Sequence, residues 1–64
     1  MNIDHTNYPK TLKGKSIESL RYIIGDCKAV LEVNPYGSKA GYYADEINYC
    51  AMELAARAKA EAAA

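Results

Sequence analysis

The dipeptide Asn34-Pro35 divides this chain between two segments that each carry a helical hydrophobic period. Proline has no N–H for a helical ladder and its ring clashes with the preceding turn, so a helix approaching it ends by about Val33. Upstream, Ile17, Leu20, Ile24, Cys27 and Leu31 step by 3, 4, 3 and 4. Downstream, Tyr43, Ile47, Cys50 and Leu54 step by 4, 3 and 4. Steps of this kind collect each set on one side of a helix. Ser16 is a suitable N-cap for the first, because its hydroxyl can accept from the orphan N–H groups of the opening turn. Glu18 then sits where the helix dipole favours an anion. The spacing predicts helix 1 over about 16–33, a turn at 34–38 and helix 2 over about 39–61, with Ser38 as its expected cap. A connection this short makes antiparallel neighbours. Residues 16–62 therefore read as an antiparallel helical hairpin, and the chain as all-α. Residues 1–15 are punctuated by Pro9 and Gly14 and show no helical period. They read as an irregular N-terminal arm, held to the body by Ile3, Tyr8 and Leu12.

In an antiparallel pair Leu20 falls near Cys50, Ile24 near Ile47, Ile17 near Leu54, and Leu31 near Tyr42 or Tyr43. Ala40, Ala44 and Ala51 flank that seam and permit close packing. Cys27 and Cys50 are offset by about one turn, roughly 5–6 Å. A disulfide is geometrically possible but not preferred, and both thiols read as small buried apolar groups. Gly25 interrupts helix 1 at a cost of about 1 kcal/mol relative to alanine. It is either a tolerated exposed glycine or a point of close backbone approach. The last ten residues are helix formers without a large apolar side chain, so they prolong helix 2 without anchoring it.

Sixty-four residues bury little: a core of this size seldom supplies more than about 3–5 kcal/mol. Two helices have one interface, and Ile23, Val30 and Met52 lie beside it rather than in it. Self-association into a four-helix bundle around a two-fold axis is the simplest remedy, and packing of the N-terminal arm across one hairpin is the competing solution.

Composition excludes several classes. Eight Lys+Arg balance eight Asp+Glu, which argues against a general DNA-coating protein. Neutrality also counts against an RNA-binding hairpin dimer, a third reading of the chain, although residues 1–21 hold four cations against two anions. No segment approaches the ~20 apolar residues of a membrane span, and no charged-then-apolar start resembles a signal peptide. Two cysteines do not make the disulfide framework of a secreted mini-protein, which favours the cytoplasm. A zinc site would have to gather Cys27, Cys50, His5 and a carboxylate from scattered positions, so no metal or cofactor is expected. His5 is the lone histidine, placed in the arm with no group to orient it. Asp45 and Glu46 are adjacent and point about 100° apart on a helix, so they form no acid–base dyad. The chain reads as non-enzymatic.

What chemistry remains concerns anions and aromatics. Lys13-Gly14-Lys15-Ser16 resembles the tail of a phosphate loop, but Pro9 stands where the full motif needs glycine. A helix N-terminus beside two lysines can still attract an anion. Lys39 and Tyr42 repeat the arrangement at the start of helix 2. Across a dimer, Lys13, Lys15 and Ser16 of one copy could meet Lys39 and Tyr42 of the other, offering cations for phosphate and a ring for a base. The chain has six tyrosines, too many for so small a core. Tyr22, Tyr36 and Tyr49 are expected to form an interaction surface, since tyrosine is apolar in body and polar at its tip.

The stretches Thr11-Leu12-Lys13-Gly14-Lys15-Ser16-Ile17-Glu18-Ser19-Leu20-Arg21-Tyr22-Ile23-Ile24 and Gly41-Tyr42-Tyr43-Ala44-Asp45-Glu46-Ile47-Asn48-Tyr49-Cys50-Ala51-Met52-Glu53-Leu54 resemble a group of short accessory proteins of tailed bacteriophages. That group has no established activity, so no functional residue carries over. The resemblance implies a setting: the cytoplasm of an infected bacterium, and action by binding a host protein or a defence system as an inhibitor or adaptor. Some helical phage proteins sequester nucleotide immune signals, which makes a small nucleotide the alternative ligand. This second link is one of architecture alone.

Overall fold

A computed structural model describes residues 4–63. It contains three helices, α1 (Tyr8–Leu12), α2 (Ile17–Val33) and α3 (Ala40–Ala63), and no strand among the described residues. Helices α2 and α3 pack side by side, and α1 lies on α3. At about 1.5 Å per residue the 24 residues of α3 span about 36 Å, which sets the long axis of a 41 × 23 × 15 Å particle.

The opening of α2 follows from Ser16. Its backbone is extended (φ −70°, ψ 161°), and its hydroxyl oxygen accepts from the Ser19 N–H at 3.1 Å. Asn34 closes the helix by donating its N–H to the Val30 carbonyl, and the turn is carried by Gly37 N–H to Asn34 O and Ala40 N–H to Gly37 O. A side chain on Gly37 would collide with the Asn34 side-chain amide, so this turn is compact at that point. Ser38 is not the cap of α3: the Lys39 carbonyl accepts the first helical bond, from Tyr43 N–H.

Within the segment expected to be an irregular arm, Tyr8–Leu12 form a short helix. Asp4 nucleates a turn, its carboxylate accepting from the N–H groups of Thr6 and Asn7 and from the Asn7 side-chain amide. The Asp4 carbonyl accepts from Tyr8 N–H, and α1 follows with Pro9 in its first turn. Proline is tolerated there because that N–H has no helical partner anyway. Tyr8 and Leu12, four residues apart, then fall on one face and dock on α3. Ile3, the third residue expected to hold the arm, lies outside the described residues.

The core is small. Leu12, Leu20, Cys27 and Cys50 are its buried side chains. Leu12, Leu20 and Cys50 form one cluster, with Tyr8, Ile23, Ile24, Tyr49 and Leu54 packed around it. Cys27 and Cys50 are free thiols. Leu12 takes the core position that the seam assigns to Ile17, and Ile17 is 43% exposed. Ala44 and Ala51 are also exposed rather than seated against α2. Gly25 faces open space, since a side chain there would meet nothing within 4 Å.

Candidate functional site

The segment between α1 and α2 carries Lys13, Lys15 and Ser16, and its backbone is turned toward α3. Arg57 donates from Nη2 to the carbonyls of Leu12 at 3.2 Å, Lys13 at 3.3 Å and Lys15 at 2.6 Å. Its Nε donates to Glu53 Oε2 at 2.8 Å. Arg57 therefore closes the C-terminal end of α1, where exposed carbonyls favour a cation. This corrects the reading of the last ten residues as unable to anchor. A long side chain four residues after a glutamate reads as a surface pair, and only the third dimension shows the carbonyls it reaches.

The two lysines do not converge. Lys15 lines an open groove of about 460 Å³ with Glu18, Ser19, Tyr22 and Ile23. Lys13 lines a separate groove of about 220 Å³ with Pro9, Tyr49, Met52, Glu53 and Ala56. Each groove also contains a glutamate, Glu18 in the first and Glu53, the partner of Arg57, in the second. The Ser16 hydroxyl is engaged in capping and donates to Ser19 Oγ at 3.0 Å. Lys39 precedes α3 and Tyr42 lies in its first turn, beyond the far end of α2, whose 17 residues extend about 25 Å. One chain thus does not bring the two groups together.

The tyrosines divide. Tyr22 is 74% exposed and Tyr36 96% exposed. Tyr49, expected at the same surface, is half-buried. Its ring lies 5.8 Å from Tyr8 and 5.7 Å from His5, and its hydroxyl hydrogen-bonds His5 Nδ1. It belongs to the packing of α1 on α3, and His5 is tied to the body rather than free. Tyr42 packs edge-to-face on Tyr43 at 5.6 Å.

A polar cluster that the sequence does not announce centres on Glu46. The Tyr8 hydroxyl donates to Glu46 Oε2 at 2.8 Å. Burial raises the Tyr8 hydroxyl well above its usual range, and the accepting carboxylate adds to the effect. The negative charge of Glu46 likewise raises Tyr42, with burial second. Burial, reinforced by Glu46 and Asp26, pushes the Cys27 thiol up to about 11. Burial also raises Cys50, opposed by its contact with the Tyr8 hydroxyl. A thiol is nucleophilic as thiolate, so Cys27 near neutrality is a protonated core group. Among the described residues no three His, Cys, Asp or Glu side chains gather as a metal site would need. None of the described helices is long and apolar enough to cross a membrane.

No protein-family model, curated protein or solved structure matches this chain.

Proposed function

We propose that this chain is a non-enzymatic binding module of the bacteriophage accessory kind. In this reading α2 and α3 form an antiparallel hairpin that self-associates into a four-helix bundle. It works in the cytoplasm of an infected bacterium as an inhibitor or adaptor of a host protein. The observation that carries the reading is the distribution of apolar side chains. Among the described residues four apolar side chains are buried, while Tyr22, Val33, Tyr36 and Met52 stay mostly outside and Ile17 is partly exposed. Tyr22 and Val33 share one face of α2, eleven positions or about three turns apart. Aromatic and aliphatic groups exposed along one helix face are what protein partners bury.

Sequestration of a small nucleotide or other anion has less support. Lys13 and Lys15 line different grooves, each with a glutamate. Native mass spectrometry of the chain expressed in bacteria separates the two. The binding-module reading expects an oligomer without added mass, and capture of a host protein that Tyr22→Ala and Val33→Asp abolish while helicity is retained. An oligomer carrying a nucleotide-sized adduct that Lys13→Ala with Lys15→Ala removes would overturn it in favour of sequestration.

A further inference from the structure

We infer that α3 carries a second packing seam, fitted to the α3 of another copy of this chain lying antiparallel to it. This rests on the self-association proposed above and adds to it a face, a direction and a register. Ala44, Asn48, Ala51, Ala55, Ala58 and Ala62 step by 4, 3, 4, 3 and 4, and all are exposed. Such a repeat forms a straight stripe that suits a neighbour crossing at a shallow angle. At about 100° per residue the stripe lies roughly a quarter-turn round α3 from the row that packs on α2. Methyl side chains let two backbones approach to the short end of the usual range, about 8 Å.

Small residues alone would accept many partners, but the edge beside them is selective. Asp45, Met52 and Lys59 follow each other at intervals of seven along it. Met52 is a large apolar side chain held in solvent. Asp45 and Lys59 are exposed and 14 positions apart, about 21 Å along the axis, so they cannot pair within one helix. Met52 is their midpoint. A two-fold axis beside Met52 places Asp45 of each copy against Lys59 of the other and Met52 against Met52. The same axis sets Ala44 over Ala62, Asn48 over Ala58 and Ala51 over Ala55. A parallel pair would put Lys59 against Leu54 and leave both charges unmatched. Asn48 is the single polar position in the stripe and faces Ala58 in this register. On the opposite edge stand Ile47 and Leu54, which lean toward α2. The two α2 helices then fall on one side of the α3 pair and complete four helices.

The test uses the full chain, with sedimentation to measure the dimer and a short bis-maleimide to read the register. Cys27 and Cys50 are buried and serve as the background. Met52→Cys should cross-link to a dimer at least about tenfold faster than Tyr36→Cys, which is more exposed but lies in the turn. Asp45→Lys should weaken the dimer about tenfold, and Asp45→Lys with Lys59→Asp should restore it to within about threefold. A dimer in which Met52→Cys reacts no faster than Tyr36→Cys refutes this face while leaving self-association standing. A monomer at about 100 µM removes self-association, and this register with it.

Discussion

Arg57→Ala should detach α1 from the rest of the molecule. The Nη2 atom has two protons for three carbonyls at 3.2, 3.3 and 2.6 Å. That is equivalent to about two charge-assisted bonds, each contributing about 1.5 kcal/mol when shielded from water. The side chain is 27% exposed, so water replaces part of what is lost, and about 2 kcal/mol remains. The Glu53 pair adds little, because an i,i+4 bridge contributes about 0.3–0.5 kcal/mol. Against a total of about 3–5 kcal/mol, the loss is large. For a chain of this length it corresponds to a fall in Tm of roughly 8–16 °C, read by circular dichroism. Amide exchange should show where it acts: protection lost first in residues 8–15 and retained around Leu20 and Cys50. Glu53→Gln should move Tm by no more than about 3 °C. If Arg57→Ala melts within 2 °C or so of the unaltered chain, or if Glu53→Gln does equal damage, Arg57 is an ordinary surface pair and the account of α1 docking fails.

Three further outcomes follow from the same geometry. Gly25→Ala should stabilise by about 0.5–1 kcal/mol, since its added methyl meets nothing; a lower midpoint in urea would show that the position is covered in solution. Tyr8→Phe should cost about 1 kcal/mol by leaving Glu46 without its donor, seen as a lower midpoint with an unchanged slope. Stability should fall in alkali. Cys27 rises from 9.0 in the unfolded chain to about 11 in the folded one, and Tyr8 is raised in the same direction. A raised folded value stabilises fully below the unfolded value and is lost as pH climbs through the folded one. The urea midpoint should therefore hold to about pH 9 and drop toward pH 11, and Cys27→Ala should flatten the early part of that decline.

The parts of the fold legible in the sequence are those governed by local rules. Ser16 marks the start of α2 because an N-cap needs a hydroxyl at one position, and Asn34-Pro35 marks its end because proline lacks an N–H. The pairing of Leu20 with Cys50 follows from the two 3–4 rows alone. The rest depended on contacts between distant segments. Five residues of α1 are too few to show a period, and Pro9 reads as a breaker when its place in the first turn makes it harmless. Ile17 fits the α2 row by spacing, yet Leu12 arrives from α1 and takes the space. Of the candidate site residues, Tyr22 and Tyr36 stand where their positions outside the rows suggest. Tyr49 does not, because the packing partners that cover it, Tyr8 and His5, lie more than forty positions away.

The deeper reason α3 is hard to read is that its buried surface is of two chemical kinds. Tyr43, Ile47, Cys50 and Leu54 make a conventional apolar row. Glu46, Tyr49, Glu53 and Arg57 step by 3, 4 and 4 and make a second row, half-buried throughout. An amphipathic reading takes charge as a sign of solvent and assigns that second row to water. Here it meets α1 by hydrogen bonds, through Tyr8 on Glu46 and through Arg57 on the carbonyls that end α1. Polar packing of this sort orients a short helix where apolar contact would let it slide, because each bond fixes a direction as well as a distance. With two rows occupied within the chain, the third side of α3 is the alanine stripe. Along the edge of that stripe stand the exposed Asp45, Met52 and Lys59. The alanines let another helix come close, and the symmetric spacing of Asp45, Met52 and Lys59 is why the partner proposed for that side is a helix identical to α3.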